Sequence, residues 1–337
     1  MFNKKSILIT GGTGSLGKEL ISQITKKYKP KRLIIFSRDE LKQYNLEKTY
    51  PESKYPYLRY FLGDVRDYER LKTAFNDVDY IIHAAAMKQV EASEYNPQEC
   101  IKTNVEGAKN IIKASIENNV KKIIALSTDK AVNPINLYGA SKLCSDKLFI
   151  AANNMVGNKN ILFSVVRYGN VLESRGSIIP NFIDLISKGI KTLPITHKEM
   201  TRFIITKKMG AKFVINSLNE MKGGEIFIPK LFAIKICDLV AFLFNNPKMK
   251  FIGVRPGEKL HETLIPKEES MNCVEFKDYY LIKPSIKFYK NRNYQISKSG
   301  NKGKNIKNDL DYSSNQIKFL ANKKDIRLIL EKIDYKL

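Results

Sequence analysis

The fold is decided by the stretch Ser6-Ile7-Leu8-Ile9-Thr10-Gly11-Gly12-Thr13-Gly14-Ser15-Leu16-Gly17. Its first five residues form a short β-rich run, and a helical pattern follows the glycines from Lys18 to Tyr28. A strand, a glycine turn and a helix in this order bring backbone N–H groups and a helix N-terminus close to a phosphate. The glycine spacing fits both GxGxxG and GxxGxxG. The stretch therefore predicts a dinucleotide-binding turn.

Apolar runs that alternate with helical patterns predict a parallel sheet. Such runs occur at 32–36, 78–83, 122–126 and 165–170, and they are typical of strands buried on both faces. Because helical segments separate them, they fit the crossovers of a doubly wound sheet. The sequence predicts an α/β fold, a Rossmann-type doubly wound parallel sheet with a smaller C-terminal substrate domain.

The residues after the second predicted strand bear on which dinucleotide binds. A carboxylate at this strand end typically holds the ribose hydroxyls of NAD, whereas a guanidinium accepts the 2′-phosphate of NADP. Ser37 and Arg38 stand there, with Lys42 one turn further on. The alternative is that Arg38 pairs with Asp39 or Glu40 on the surface. The sequence favours NADP over NAD.

A second polar cluster follows the apolar run 122–126. Thr128, Asp129 and Lys130 come at the end of this strand, where open α/β sheets bind ligands. Tyr138 and Lys142 lie four residues apart on one helical face. A phenol beside an ammonium has its ionised form favoured, which makes it a proton acceptor near neutral pH. Taken alone, the pair is more typical of two solvated helix residues.

The predicted cofactor contacts combine these two regions with the ends of the third and fourth strands. The residues expected to contact the cofactor are Gly11, Thr13, Gly14, Ser15, Leu16, Gly17, Ser37, Arg38, Asp39, Glu40, Lys42, Asp64, Val65, Ala84, Lys88, Asn104, Tyr138 and Lys142. Residues 1–168 are predicted to form the NADP-binding Rossmann domain, with a return around 203–230. Residues 169–202 and 231–337 are predicted to form the substrate-binding domain. His83 is interpreted as a core or strand-end residue, and Arg167 as structural.

The composition of the 337 residues fits a soluble protein of the cytoplasm. Four cysteines are widely spaced without a CxxC pair, so neither a disulfide framework nor a metal site is expected. No apolar run approaches the length of a membrane span. Since a predicted strand begins at Ser6, we expect no signal peptide.

The net charge of +24 raises the possibility of a nucleic-acid or membrane partner. The lysines are spread along the chain without a nucleic-acid-binding motif, so we expect neither partner. The basic segment 281–308 has eight Lys or Arg residues and no acid, which favours a solvated loop. A basic surface also helps to attract an anionic substrate.

Longer motifs connect the chain to a known family. The motifs TGGTGSLG (10–17), YGASK (138–142), RYGN (167–170) and RPGE (255–258) together resemble the extended short-chain dehydrogenase/reductase superfamily of nucleotide-sugar enzymes. The blocks SRDELKQ (37–43), ALSTDKAVNPINLYGASKLCSDKLF (125–149), MTRF (200–203) and GVRPGEKLHE (253–262) look like the inverting UDP-N-acetylglucosamine 4,6-dehydratases of the pseudaminic acid pathway. The resemblance runs from about Ile7 to about Tyr280.

The resemblance implies a catalytic set of Thr128, Asp129, Lys130, Tyr138 and Lys142, tightly held NADP and a homo-oligomer, expected to be a hexamer. Tyr138 with Lys142 helps to oxidise carbon 4 of a UDP-sugar. Lys130 then removes the proton of carbon 5, and Asp129 assists loss of the carbon 6 hydroxyl. Hydride returns to carbon 6, and reprotonation of carbon 5 from the other face inverts the ring. We expect burial, Lys142 and the nicotinamide charge to strip the Lys130 proton.

The substrate is expected to contact cationic and polar residues of both halves. These are Lys88, Asn170, Arg175, Arg202, Arg255 and Glu258, of which the arginines are candidate phosphate clamps. Glu173 stands where the family usually has a small residue, and Gln89 where many relatives have histidine.

Three alternative functions stay open. A retaining dehydratase or a carbon-4 epimerase would use the same scaffold, although an epimerase needs no elimination machinery such as Lys130. A non-catalytic NADP sensor tends to lack the Tyr and Lys that are present here. Nucleic-acid binding through the net charge is the third.

Overall fold

The computed structural model describes residues 1–245, 247–286, 292–306 and 310–331. The strands, numbered in chain order, are β1 (Ser6–Thr10), β2 (Arg32–Ser37), β3 (Leu58–Leu62), β4 (Tyr80–His83), β5 (Lys122–Thr128), β6 (Leu162–Tyr168), β7 (Asn170–Val171), β8 (Thr192–Ile195), β9 (Thr201–Ile205), β10 (Ile226–Pro229), β11 (Ala233–Lys235), β12 (Lys248–Phe251), β13 (Thr263–Ile265), β14 (Cys273–Glu275), β15 (Tyr279–Ile282), β16 (Lys304–Asn305) and β17 (Tyr312–Ser313).

The α-helices alternate with these strands through most of the chain. They are α1 (Ser15–Lys27), α2 (Glu40–Thr49), α3 (Tyr68–Ala74), α4 (Val90–Tyr95), α5 (Pro97–Ile101), α6 (Gly107–Glu117), α7 (Leu137–Ala151), α8 (Ile178–Ser187), α9 (Lys207–Glu220), α10 (Ile236–Leu243), α11 (Lys267–Ser270) and α12 (Lys323–Leu330). A π-helical turn, Lys102–Glu106, joins α5 to α6.

One large sheet organises the molecule, in the strand order β16-β14-β15-β10-β6-β5-β4-β1-β2-β3. The strands from β3 to β10 in this order are parallel, and β15, β14 and β16 add antiparallel partners at one edge. The chain reverses its direction of travel across the sheet between β1 and β4, and such a switch point opens a crevice at the strand ends. The predicted Rossmann-type α/β fold is confirmed.

The sheet is buried because its strands are apolar on both faces. Every residue of β1 is buried, and α1 packs Leu20, Ile21 and Ile24 into the same core. The helix comes very close to the glycine turn, since a Cβ added at Gly17 would lie 2.5 Å from the Gly12 carbonyl oxygen. Glycine at this position therefore sets the distance between α1 and β1.

The second part of the molecule has small sheets and two small cores of its own. The sheets are β11-β9-β7, β12-β8 and β13-β17, and helices α8, α10 and α12 supply most of the apolar side chains that pack there. β10 pairs with β6, while β14 to β16, from the segment 231–337, extend the edge of the main sheet. The division into domains given above stays a prediction.

The basic segment 281–308 is more ordered than a solvated loop. β15 ends inside it at Ile282, and β16 pairs Lys304 with Glu275 and Asn305 with Val274 of β14. The loop interpretation is therefore wrong for these two strands, because their backbone groups complete the edge of the main sheet. Residues 287–291 and 307–308 of the segment lie outside the described residues. Within the described ranges, no helix combines the length and the apolar character that a membrane crossing needs.

Candidate active site

A cleft of about 970 Å³ opens at the carboxyl ends of the parallel strands. It brings together most of the residues that the sequence predicts for the site. Those that line it are Gly11, Thr13, Gly14, Ser15, Leu16, Gly17, Ser37, Arg38, Asp39, Lys42, Asp64, Val65, Ala84, Lys88, Thr128, Asp129, Lys130, Tyr138, Lys142, Asn170, Arg175, Arg255 and Glu258.

The glycine turn forms one end of this cleft. Gly11 has φ +67°, and a Cβ there would lie 2.8 Å from the Ala85 nitrogen and 2.9 Å from the Ala84 carbonyl. The turn is closed by a Gly14 N–H that donates to the Gly11 carbonyl at 2.9 Å. Gly14 precedes α1 and has no side chain to cap its first N–H groups, which leaves them to face an anion. The turn therefore has the form of an anion-binding site.

A cationic rim follows β2. The Arg38 guanidinium is 60% exposed and lies 3.5 Å from Asp64, not against Asp39 or Glu40 as the alternative interpretation required. Asp39 instead caps α2 by accepting from the Lys42 N–H at 2.9 Å. Burial acts to raise the pKa of Asp64, but its bonds to Arg66 and the charge of Arg38 outweigh burial and lower it. Arg38 is therefore available at the cleft, whereas Glu40 is exposed and does not line it.

The predicted catalytic residues lie where β5 connects to α7, in the candidate catalytic turn. Thr128 ends β5, and its hydroxyl donates to Asp129 Oδ1 at 2.9 Å. Asn136 caps α7 by accepting from the Gly139 N–H at 2.7 Å. Tyr138, in the first turn of α7, faces the Thr128 side chain. Two elements fixed by backbone hydrogen bonds thus hold these side chains beside each other.

Lys130 lies between two carboxylates. Its Nζ is 3.1 Å from Asp129 Oδ1 and 3.2 Å from Glu262 Oε1, and the side chain is 19% exposed. Burial acts to lower the pKa of Lys130, but the two carboxylates outweigh burial and raise it. The sequence-based expectation of an amine that readily sheds its proton is wrong for the structure. The charge of Asp129 favours the ammonium, and Glu262, which is distant along the chain and was not predicted to lie here, adds to that effect.

Tyr138 is also not activated in the way that the spacing to Lys142 predicts. Burial raises the pKa of the Tyr138 phenol to about 12, against lowering effects of the Lys130 charge and a bond to Thr128. Burial lowers the pKa of Lys142, which Asp146 opposes. The ammonium that favours the phenolate is thus that of Lys130, so the expected partner of Tyr138 is corrected.

Besides Glu40, two predicted contacts do not line the cleft, Arg202 and Asn104. The Arg202 guanidinium donates to the carbonyl oxygens of Thr201, Leu260 and Lys259 at 2.8 to 3.0 Å, so it serves as a brace for the backbone. The Asn104 amide bonds both backbone groups of Met87, at 2.9 and 3.0 Å. Both side chains are hydrogen-bonded to backbone groups of the protein, so we assign them a structural role next to the cleft.

Two of the substrate-side residues, Lys88 and Arg175, meet beside the glycine turn. Lys88 Nζ donates to the Arg175 carbonyl at 3.0 Å, and the Arg175 N–H donates to Ser15 Oγ at 3.2 Å. Glu173 is buried, and its carboxylate accepts from the Lys207 N–H at 2.8 Å. The backbone at the start of α9 thus provides a hydrogen-bond donor for Glu173, which stands where the family usually has a small residue.

The structural interpretations of His83 and Arg167 are confirmed. The His83 ring is buried and its Nδ1 lies 2.8 Å from the Thr10 hydroxyl. Arg167 is buried and donates to the Leu264 carbonyl at 3.0 Å and to Glu269 at 2.8 Å. Neither side chain lines the cleft.

Sequence reasoning missed two acidic residues, Glu262 and Asp146, that contact residues lining the cleft. Glu262 lines it and contacts Lys130. Asp146, one turn after Lys142, is buried and accepts from Ser127 Oγ at 2.6 Å. Asp146 has a local signal, the spacing of four residues from Lys142. Glu262 has none beyond its place in the GVRPGEKLHE motif.

Comparisons with known proteins agree with this geometry. The family model described as "Polysaccharide biosynthesis protein" matches residues 7–284. The inverting UDP-N-acetylglucosamine 4,6-dehydratase of Campylobacter jejuni subsp. jejuni serotype O:2 is 55% identical over 331 residues, 98% of each chain. The UDP-glucose 4-epimerase of Rickettsia canadensis is 41% identical over 289 residues, 84% of each chain.

A solved structure resembles the whole chain as well. The X-ray structure of Pen from Bacillus thuringiensis has a TM-score of 0.88 and 35% identity, and the match covers 98% of this chain and 99% of that one. The match of the family model and the near-complete coverage by relatives bear out the resemblance drawn from the motifs. The chain belongs to the polysaccharide biosynthesis protein family, within the extended short-chain dehydrogenase/reductase superfamily, and is similar to its inverting UDP-N-acetylglucosamine 4,6-dehydratases.

Proposed function

We propose that the protein is a nucleotide-sugar dehydratase that converts UDP-N-acetylglucosamine into a 4-keto-6-deoxy sugar with inversion at carbon 5. The observation that supports this function best is the Asp129-Lys130 pair, which lies beside Tyr138 in the cleft that begins at the glycine turn. An elimination needs a base and an acid at neighbouring carbons, and an adjacent amine and carboxylate provide both. The dehydratase relative at 55% identity supports the same activity.

The cofactor is proposed to be NADP, which would supply the hydride acceptor for carbon 4 and the donor for carbon 6. Gly11, Gly14 and the start of α1 are proposed to bind its diphosphate, because the first N–H groups of α1 have no side-chain cap and line the cleft. Arg38 and Lys42 stand where a 2′-phosphate would lie. Ala84 lines the same cleft.

Three residues, Tyr138, Lys130 and Asp129, carry out the proton transfers of the proposed reaction. Tyr138 accepts the proton of the carbon 4 hydroxyl, and the nearby Lys130 charge favours the phenolate that this requires. A shift of one proton from Lys130 to Asp129, over 3.1 Å, makes an amine and a carboxylic acid together. The amine then removes the proton of carbon 5, while the acid protonates the departing hydroxyl. Lys88, Arg175 and Arg255 are proposed to hold the diphosphate of the substrate.

A carbon-4 epimerase is the second candidate, favoured by the relative from Rickettsia canadensis. It would use Tyr138 and the cofactor but leave carbons 5 and 6 untouched. The Asp129-Lys130 pair would then have no chemical task. A homo-oligomer and a location in the cytoplasm stay predictions from the sequence.

The deciding experiment is turnover of UDP-N-acetylglucosamine in deuterated water, followed by NMR. We expect a 4-keto-6-deoxy sugar with deuterium and inverted configuration at carbon 5. A 4-epimer without deuterium at carbon 5 would instead establish the epimerase, and retained configuration a retaining dehydratase. Lys130→Ala should keep its cofactor and lose the dehydration. Lys121→Ala is the matched control, because Lys121 pairs with Asp79 outside the cleft.

A further inference from the structure

Glu262 has a position that the chain fixes firmly. Its N–H donates to Ser314 Oγ at 2.9 Å, and its carbonyl accepts from the Ser314 N–H at 2.8 Å. The side chain is only 1% exposed. The carboxylate is therefore directed into the cleft by backbone bonds that lie outside the Rossmann-type sheet.

The carboxylate of Glu262 depends on lysines for its partners. Oε1 lies 3.2 Å from Lys130 Nζ, and Oε2 lies 3.5 Å from Lys259 Nζ. Among the described residues, Oε2 is a buried oxygen without a hydrogen bond. The Lys259 ammonium donates to the Val132 carbonyl at 2.6 Å, so it is oriented toward the catalytic turn. A buried carboxylate with so few donors is stabilised mainly by the charge of Lys130.

The proposed elimination gives this carboxylate a task. When Lys130 removes the carbon 5 proton, it becomes an ammonium inside a buried site, and this charge needs a counter-charge. Asp129 is needed as the acid and is neutral until the hydroxyl departs. The charged and titratable groups that face Lys130 and Glu262 are Asp129 on the same turn, Tyr138 on α7, Arg202 on β9, and Lys259. Glu262 is the carboxylate in this group that the elimination leaves ionised throughout.

We propose that Glu262 is a positioning residue of the dehydration, which holds Lys130 at the sugar and stabilises the positive charge that Lys130 gains. The inference rests on the proposed function and acts through Lys130. Atoms balance, because the carbon 5 proton forms the new N–H bond of Lys130 and no proton moves to Glu262. The Asp129 proton leaves with the hydroxyl as water, which restores the resting charges of all three residues.

The test compares Glu262→Gln, Glu262→Asp and wild type by the pH dependence of kcat/KM with UDP-N-acetylglucosamine. Without the carboxylate, the Lys130 ammonium is stabilised less, so the Asp129-Lys130 pair loses its shared proton at lower pH. We expect the alkaline fall of kcat/KM in Glu262→Gln to begin about one pH unit or more below that of wild type. We also expect kcat to fall by about 100-fold. Glu262→Asp should restore part of both.

Glu269→Gln is the matched control, since it removes a carboxylate from the 2.8 Å ion pair with Arg167 away from the cleft. This variant should keep the alkaline fall of kcat/KM at the pH of wild type. An unmoved alkaline fall in a folded, cofactor-bound Glu262→Gln would overturn the inference. If Glu262→Gln does not fold, a Glu262→Asp enzyme with the kcat and the alkaline fall of kcat/KM of wild type would also overturn the inference. Failure of wild type to form the keto sugar would instead count against the proposed function.

Discussion

Gly139 sets the distance between the two halves of the proposed catalytic set. It follows Tyr138 in α7, and a Cβ added there would overlap the Lys130 carbonyl oxygen. The same Cβ would lie 3.0 Å from the Lys130 carbonyl carbon and 3.1 Å from Pro134 Cβ. Helix α7 and the catalytic turn are therefore in contact at the Lys130 backbone, and no flexible side chain lies between them that could move aside.

Gly139→Ala should separate these two elements by about 1 Å, because ordinary contacts of a Cβ begin beyond 3 Å. Overpacking of this kind costs about 1–3 kcal/mol of folding free energy, against which alanine in a helix returns about 0.5–1 kcal/mol. A displacement of about 1 Å at reacting groups reduces turnover by about 100-fold. We therefore expect a large loss of kcat with a small loss of stability.

The assay measures kcat by NMR of the keto sugar, the melting temperature and the cofactor content of each variant. Gly210→Ala is the matched control, because its Cβ would meet only side-chain atoms, at 3.4 Å from Leu16 and 3.8 Å from Ile205. This change in α9 should keep full activity and stabilise the protein by up to about 1 kcal/mol. A Gly139→Ala enzyme with wild-type kcat would refute the claim that this contact positions Lys130 against Tyr138.

Two further predictions concern the cofactor rim and the core. Arg38→Ala should weaken NADP binding by about tenfold and change NAD binding by less than about twofold. Calorimetry on cofactor-free protein measures both affinities. Equal losses for the two dinucleotides would contradict the assignment of Arg38 to the 2′-phosphate. Burial, helped by the Lys142 charge, lowers the pKa of His83 to about 3, so its contribution to stability is present above about pH 6.5 and declines as the pH falls toward 3, by about 1.4 kcal/mol per pH unit. Urea unfolding between pH 6 and 4 should show a shallower decline for His83→Gln than for wild type, and parallel declines would argue against a buried neutral ring.

Local features of the sequence determined the main sheet and the glycine turn. Apolar runs of strand length at 32–36 and 122–126 became β2 and β5, and the glycines after Ser6–Thr10 became the turn at the switch point. These features can be found from the sequence because strand burial, helix periodicity and positive φ at glycine are set within a few residues. The motif around Tyr138 identified the family for the same reason.

The charge state of the site was decided only by the tertiary structure. Lys130 is held as an ammonium by Asp129, its neighbour in the sequence, and by Glu262, which comes from the segment before β13 and lies 3.2 Å away. Arg202 is turned from the cleft because three carbonyl oxygens surround its guanidinium. A pKa and the direction of a side chain depend on neighbours from distant parts of the chain, and no local pattern encodes those neighbours. The sequence by itself therefore determined which fold and which chemical groups are present, while packing determined which of those groups meet and with what charge.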